Sequence, residues 1–145
     1  MIIGGTPEHI AKYQRLADQL QITKRVSLLG PRPVSALNGY LMQADILVSP
    51  RTLGNNTPMK IYSYLHSGIP VLATDLPTHT QVCNSAKSEL VPATPKDVGN
   101  GLAKLLSDSE RRRTIGENAR AHAEEFYTFE VFQMHLNRLY DSVIL

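Results

Sequence analysis

A chain of 145 residues with 42% apolar and 19% charged side chains holds one sizeable core, and its make-up is that of a folded globular protein, neither disordered nor fibrous. Its 15 Lys/Arg against 13 Asp/Glu leave +2, too balanced for a nucleic-acid binder, and no apolar run approaches the roughly 20 residues that span a bilayer. A lone cysteine, Cys83, excludes a disulfide framework, and Met1 leads into Ile-Ile-Gly-Gly with no basic leader, so a reducing, cytoplasmic setting is expected.

The chain opens on an apolar run, Met1–Ile3, closed by Gly4-Gly5, as though a domain were entered midway. Thr6-Pro7-Glu8 is a helix start, with Thr6 as N-cap and Pro7 in the first turn; Ile10, Tyr13, Leu16, Ala17 and Leu20 then mark one face. Val26–Leu29 reads as a second strand, and Pro33–Gln43 as a short helix opened by proline. Ile46–Val48 is a third strand, and Thr57-Pro58 opens a helix with Ile61 and Leu65 inward. Val71–Ala73 and, more weakly, Glu89–Val91 complete the strands. Past Pro95 the periodicity turns helical: Leu102, Leu105 and Leu106, then Ile115, Ala119 and Phe126, then Phe129, Phe132, Leu136, Leu139 and Val143. That last stripe needs a surface to pack on. The pattern predicts an α/β fold over residues 1–145: a Rossmann-like, doubly wound parallel sheet with helices on both faces and C-terminal helices.

Parallel sheets bind ligands at the carboxyl ends of their strands, so the loops there are the candidates. They are Gly30-Pro31-Arg32-Pro33, the stretch from Pro50 to Lys60, and Thr74 to Gln81, three polar loops expected at one edge. Charge agrees: residues 1–72 hold seven Lys/Arg against three Asp/Glu, and residues 73–145 hold eight against ten. A modestly positive front half suits a small anion. In the middle loop, Gly54-Asn55-Asn56 lets backbone approach a ligand, Thr57 caps the next helix and Pro58 fixes its first turn. That helix start, with Lys60 and Arg51, would hold a diphosphate. An ordinary N-cap beside two solvated cations accounts for the same residues.

The run Ser49-Pro50-Arg51, Asn55-Asn56-Thr57-Pro58-Met59-Lys60-Ile61-Tyr62-Ser63-Tyr64, to Gly68-Ile69-Pro70-Val71-Leu72-Ala73-Thr74-Asp75 resembles the signature block of group 1 glycosyltransferases. These are retaining nucleotide-sugar transferases of the GT-B architecture, often called family 4. Val26–Gly30, Tyr40–Val48 and Gly116-Glu117-Asn118-Ala119-Arg120 are similar to the family too. The resemblance covers nearly the whole chain and is to the C-terminal, donor-binding domain. It implies a nucleotide-diphosphate sugar as donor substrate and no cofactor, with a glycan or lipid-linked acceptor. It implies base contacts at Gly30, Pro31 and Arg32, and donor contacts at Arg51, Asn55, Asn56, Thr57, Pro58, Lys60, Ser63 and His79.

Two departures stand out. Members carry two Glu residues eight positions apart where this chain has Asn55 and Ser63. The first Glu lies near the transferred sugar, which makes Asn55 the catalytic candidate, and the second holds the ribose. Pro77–Val82 likewise replaces a Gly-Gly-Ile-Pro-Glu-Val run. Members also begin this domain with one more strand and helix, preceded by an acceptor-binding domain. The expectation is therefore a donor domain lacking its first strand–helix unit, with the missing N-terminal domain as partner. A non-catalytic nucleotide-sugar-binding module and a sugar-nucleotide epimerase of the same architecture remain open.

Elsewhere the readings are plain. His9, His66, His79, His122 and His135 show no ligand spacing, and no metal site is expected. Asp108-Ser109-Glu110 reads as a helix start rather than an acidic metal pair. Arg111-Arg112-Arg113 reads as a solvated helix face, with contact to an anionic membrane surface as the lesser reading. His79 reads either as a donor contact or as a solvated loop histidine.

Overall fold

Three of the apolar runs pair into one parallel sheet in the order β1 (Leu47–Ser49), β2 (Val71–Thr74), β3 (Glu89–Val91). The computed structural model describes residues 1–143. The chain divides into two units, residues 1–40 and the remainder from Leu41.

In the first unit, α1 (Pro7–Gln19) starts as its local signals dictate: the Thr6 hydroxyl accepts the His9 N–H, and Pro7 sits in the first turn. Met1–Ile3 and Val26–Leu29 meet only through isolated bridges, Ile2 with Leu28 and Gly4 with Gly30. Met1, Ile2 and Ile3 are exposed, so the expected buried strand is half realised, having a partner on one side alone. The α1 face is also thinner than its spacing implied: Ala17 is buried, whereas Tyr13, Leu16 and Leu20 are exposed. The expected helix at Pro33–Gln43 is a 3-10 turn, Val34–Ala36, running into α2 (Leu37–Leu41), which carries the chain into the second unit.

The second unit is doubly wound. Alternation along β2 sends Val71 and Ala73 to one face and Leu72 to the other, and each face has its own core. The first joins Val71 and Ala73 to Ile61 and Leu65 of α3 (Lys60–Ser67) and Ala119 and Ala123 of α6 (Ser109–Phe126). The second joins Leu72 and Val91 to Leu105 of α5 (Pro95–Ser107) and Ile115 of α6. Burial of these aliphatic side chains, worth roughly 1.5–3 kcal/mol each, closes the unit. Helix α3 stops at Gly68, whose φ of 72° is the left-handed cap. There α6 comes so close that a Cβ on Gly116 would lie 2.2 Å from the Gly68 carbonyl oxygen.

The remaining caps are local. Thr94 and Asp97 close a reciprocal box at the start of α5, and the Asp108 carboxylate accepts the Arg111 N–H at the start of α6, as its sequence implied. The arginine run is not a solvated face. Arg112 donates to the Leu105 and Leu106 carbonyls at the end of α5, and Arg111 donates to Ser85 O and the Glu89 carboxylate. Arg113 alone of the three faces solvent, paired with Glu117. The stripe on α7 (Phe129–Val143) is also at odds with its spacing. The helix carries no buried residue, because the inward faces of α3 and α6 already pack on each other and on the sheet.

Candidate functional site

At the carboxyl ends of β1 and β2, a polar network replaces the apolar core. Ser49 ends β1, Thr74 ends β2, and both are buried together with Thr78 and His79 of the four-residue helix α4 (Pro77–Thr80). Burying this many polar side chains is tolerable only if each finds partners, and each does. His79 Nδ1 is 2.8 Å from the Thr74 carbonyl, Thr74 Oγ1 donates to the Arg51 carbonyl at 2.7 Å, and Thr78 Oγ1 donates to the Asn56 carbonyl at 2.7 Å.

Above this layer the loop from Pro50 to Met59 folds back on itself. Arg51 Nη1 donates to Asn56 O at 3.0 Å and to Thr78 Oγ1 at 3.3 Å. Gly54, at φ 126°, leaves room for that guanidinium, since a Cβ there would lie 3.0 Å from Arg51 Nη1. Gln81 closes the far side, accepting from Thr57 Oγ1 at 3.0 Å and donating to Asn55 O at 3.3 Å. The loop thus holds itself by main-chain carbonyls turned inward, leaving the side chains of Asn55 and Asn56 at the surface.

Lys60, the first residue of α3, points its ammonium over the Tyr64 ring at 5.6 Å. Although much of the residue is exposed, the protein around the ammonium desolvates it, and Arg51 nearby repels it; both lower its pKa. Among the described residues neither Arg51 nor Lys60 has a carboxylate partner. Two cations that repel each other, over a layer of fixed dipoles, favour an anion between them. Ser63, one turn further along α3, is half-buried and brings no charge.

Three expectations need correction. Thr57 does not cap α3: its hydroxyl is drawn to Gln81, 24 residues on, and the helix begins at Lys60 with Met59 in the cap position. Pro58 accordingly precedes the cap, and the first turn tightens through Ile61 N–H to Pro58 O and Tyr62 N–H to Met59 O. His79 is neither solvated nor a surface contact, having no exposed area. Its imidazole is instead the floor of the loop. The structure brings Arg51, Asn55, Asn56 and Thr57 together with Thr78 and Gln81, the last two unassigned from sequence. The hint was available: serine and threonine ending otherwise apolar strands need a polar neighbour.

Gly30, Pro31 and Arg32 lie in the first unit. Gly30 is buried at φ 67°, accepts the Gly4 N–H, and would place a Cβ 3.3 Å from Ile10 Cδ1. Arg32 is exposed and donates to its neighbour's carbonyl, Pro31 O. Beside the Arg51 loop, a cavity of about 140 Å³ is lined by Pro50, Thr52, Thr74, Thr94, Pro95 and Val98. It is too small for a nucleotide, whose pockets run to ~300 Å³ or more. Among the described residues no group of three His, Cys, Asp or Glu is placed to hold a metal, and no helix is long and apolar enough to cross a membrane.

Comparison with known proteins bears on this arrangement. Residues 1–122 match the family described as "Glycosyl transferases group 1". D-inositol 3-phosphate glycosyltransferases are similar over 97% of the chain, at 29% identity for Corynebacterium jeikeium and 32% for Corynebacterium glutamicum. The chain spans about a third of the length of these curated relatives, 33% in both cases. Among solved structures, HepE of Anabaena, crystallised with UDP, superposes over 97% of this chain and 40% of its own, with a TM-score of 0.86 at 18% identity. Sucrose-phosphate synthase of Thermosynechococcus elongatus superposes over 98% of this chain and 37% of its own, with a TM-score of 0.85 at 20% identity. The fold is that of GT-B enzymes, and with the family matched from residue 1 to residue 122 the chain belongs to the group 1 glycosyltransferases.

Proposed function

We propose that this chain is the donor-binding half of a retaining, family 4 glycosyltransferase that moves a sugar from a nucleotide-diphosphate sugar to a glycan or lipid-linked acceptor. One observation carries the reading: Arg51 on a pinned loop and Lys60 at the start of the helix that follows it, with no carboxylate partner among the described residues, stand at the carboxyl ends of parallel strands. In transfer, that pair neutralises charge growing on the departing diphosphate, while the fixed loop orients the sugar. Asn55 faces the transferred sugar, Asn56, Thr57 and Pro58 shape the loop, and Ser63 meets the ribose. HepE, solved with UDP and with UDP-glucose, supports a nucleotide-sugar donor for this fold.

The rest of the enzyme lies outside this chain in the same reading. An apolar edge strand of a parallel sheet is ordinarily covered, and among the described residues β1 pairs on one side only, with β2. That edge supports an additional strand–helix unit, and the threefold greater length of the relatives supports an acceptor-binding domain as partner. The full enzyme works in the cytoplasm, peripheral to the membrane where its acceptor is lipid-linked.

Titration of the chain with UDP-glucose, ADP-glucose and GDP-mannose at low salt tests the reading. The expected result is saturable binding of one of them that weakens as ionic strength rises. Absence of binding to all three, in this chain and in a longer chain carrying the acceptor domain, overturns it.

A further inference from the structure

Among the described residues, His79 is the ionisable side chain in the buried layer beneath the Arg51 loop, and both of its ring nitrogens have partners. The Thr74 carbonyl can only accept, so Nδ1, 2.8 Å away, carries the proton. Nε2 is then a bare acceptor and receives the Ser49 hydroxyl at 2.9 Å. Thr74 Oγ1, 3.1 Å from Nδ1, donates its own hydrogen bond to the Arg51 carbonyl. The ring therefore joins the last residue of β1, the last residue of β2 and the first cation of the loop in a single directed chain of hydrogen bonds. Its neighbour Thr78 grips the loop at Asn56 and at Arg51 Nη1. Helix α4 has four residues, too few to hold its own shape, so what fixes it is this anchorage.

We infer that His79 is a positioning residue: from beneath, it sets the shape in which the Arg51–Asn56 loop presents Arg51 and Lys60 to an anionic ligand. The inference rests on the reading of that loop as the donor-diphosphate site and adds a dependence on the charge of one buried ring.

The groups facing the ring are Ser49 from β1, Thr74 from β2, Arg51 from the loop and Lys60 from α3; among these the charges are both positive. Burial lowers the imidazole pKa, the hydrogen bond to Thr74 O works in the opposite sense, and Arg51 and Lys60 lower it further. A neutral ring in the folded state means that its contribution is complete above the ordinary histidine range. It is lost as pH falls through that range toward the depressed value. A proton on Nε2 removes the acceptor for Ser49 and places a buried cation beneath two others, so the loop loses its floor.

Simple electrostatics without positioning predicts the opposite linkage, since an added positive charge would tighten binding of an anion. The sign of the pH effect separates the two. UDP-glucose is the probe, because its diphosphate diester does not titrate between pH 5 and 8. Three readouts apply to the folded chain: ring nitrogen shifts of His79 by NMR, hydrogen-exchange protection of residues 79–83, whose amides donate to the Leu76 and His79 carbonyls, and UDP-glucose affinity, each across that range.

The expected result is an Nδ1–H tautomer at pH 7.5, and protection at residues 79–83 that falls as the ring titrates. UDP-glucose affinity falls about tenfold per unit by which the ligand lowers the ring's midpoint. His79→Asn, whose amide can donate to Thr74 O but cannot titrate, removes the pH step in protection. A midpoint that rises on adding UDP-glucose, or protection that is constant through the ring's titration, overturns the inference. If UDP-glucose does not bind at any pH while protection still follows the ring, His79 holds the loop as inferred and the donor reading is what fails.

Discussion

Two pairs of cations sit at opposite ends of the same sheet, half shielded from water, and they differ in what faces them. At the start of β3, Lys104 and Arg111 close on the Glu89 carboxylate, whose side chain is 9% exposed. At the far ends of β1 and β2, Arg51 is held by the Asn56 carbonyl and the Thr78 hydroxyl, Lys60 is near enough to feel its charge, and among the described residues neither has a carboxylate partner. In the first region one carboxylate bridges both cations and ties β3, α5 and α6 together. Among the described residues the second has no such carboxylate, and the proposed donor site rests on that difference. Arginine and lysine in a polar setting look the same in sequence; the counter-charge decides which pair is structural.

The largest test of that contrast is Glu89→Ala. Removing the carboxylate leaves Arg111 and Lys104 repelling each other around a buried hole, and an expected loss of about 2–4 kcal/mol is read by urea unfolding. UDP-glucose affinity is expected to stay where it was. Lys60→Ala should do the reverse: folding stability holds or rises slightly as repulsion with Arg51 is relieved, while UDP-glucose binding weakens by about 1–3 kcal/mol. Unchanged affinity on calorimetric titration would remove Lys60 from the site. Smallest is Arg113→Ala, which breaks a solvent-exposed pair with Glu117 on one helix. A shift within about 0.5 kcal/mol is expected, and a larger one would mean that the arginine run acts as a unit.

What was legible follows from the range of each interaction. The strand residues of β2 read directly because buried parallel strands are mostly apolar runs, β3 more weakly because it opens on Glu89, and the starts of α1 and α6 read because Thr6 and Asp108 cap within three residues. The start of α3 misled for the converse reason. Thr57 has the same local credentials, but its hydroxyl is claimed by Gln81 across 24 positions. His79 was visible as chemistry and misplaced as geometry, since nothing within Pro77–Gln81 announces that the ring turns under Ser49. Arg111 and Arg112 were read as surface because their partners lie in Ser85, Glu89 and the last carbonyls of α5. Arg51 to Lys60 could be named together because they are neighbours in sequence. The layer beneath them is a product of two strand ends and a short helix meeting.

The contact of α6 with the Gly68 turn bears on how this protein can be altered. Where two main chains touch, with 2.2 Å from a would-be Cβ to a carbonyl oxygen, no side chain lies between them to enlarge or repack. Position 116 is therefore silent to the usual cavity-filling strategies, and an alanine scan would register it as severe although glycine contributes no side-chain contact at all. Engineering for robustness must work around this joint, on the exposed faces of α1 and α7, and leave the Gly68–Gly116 seam as it is.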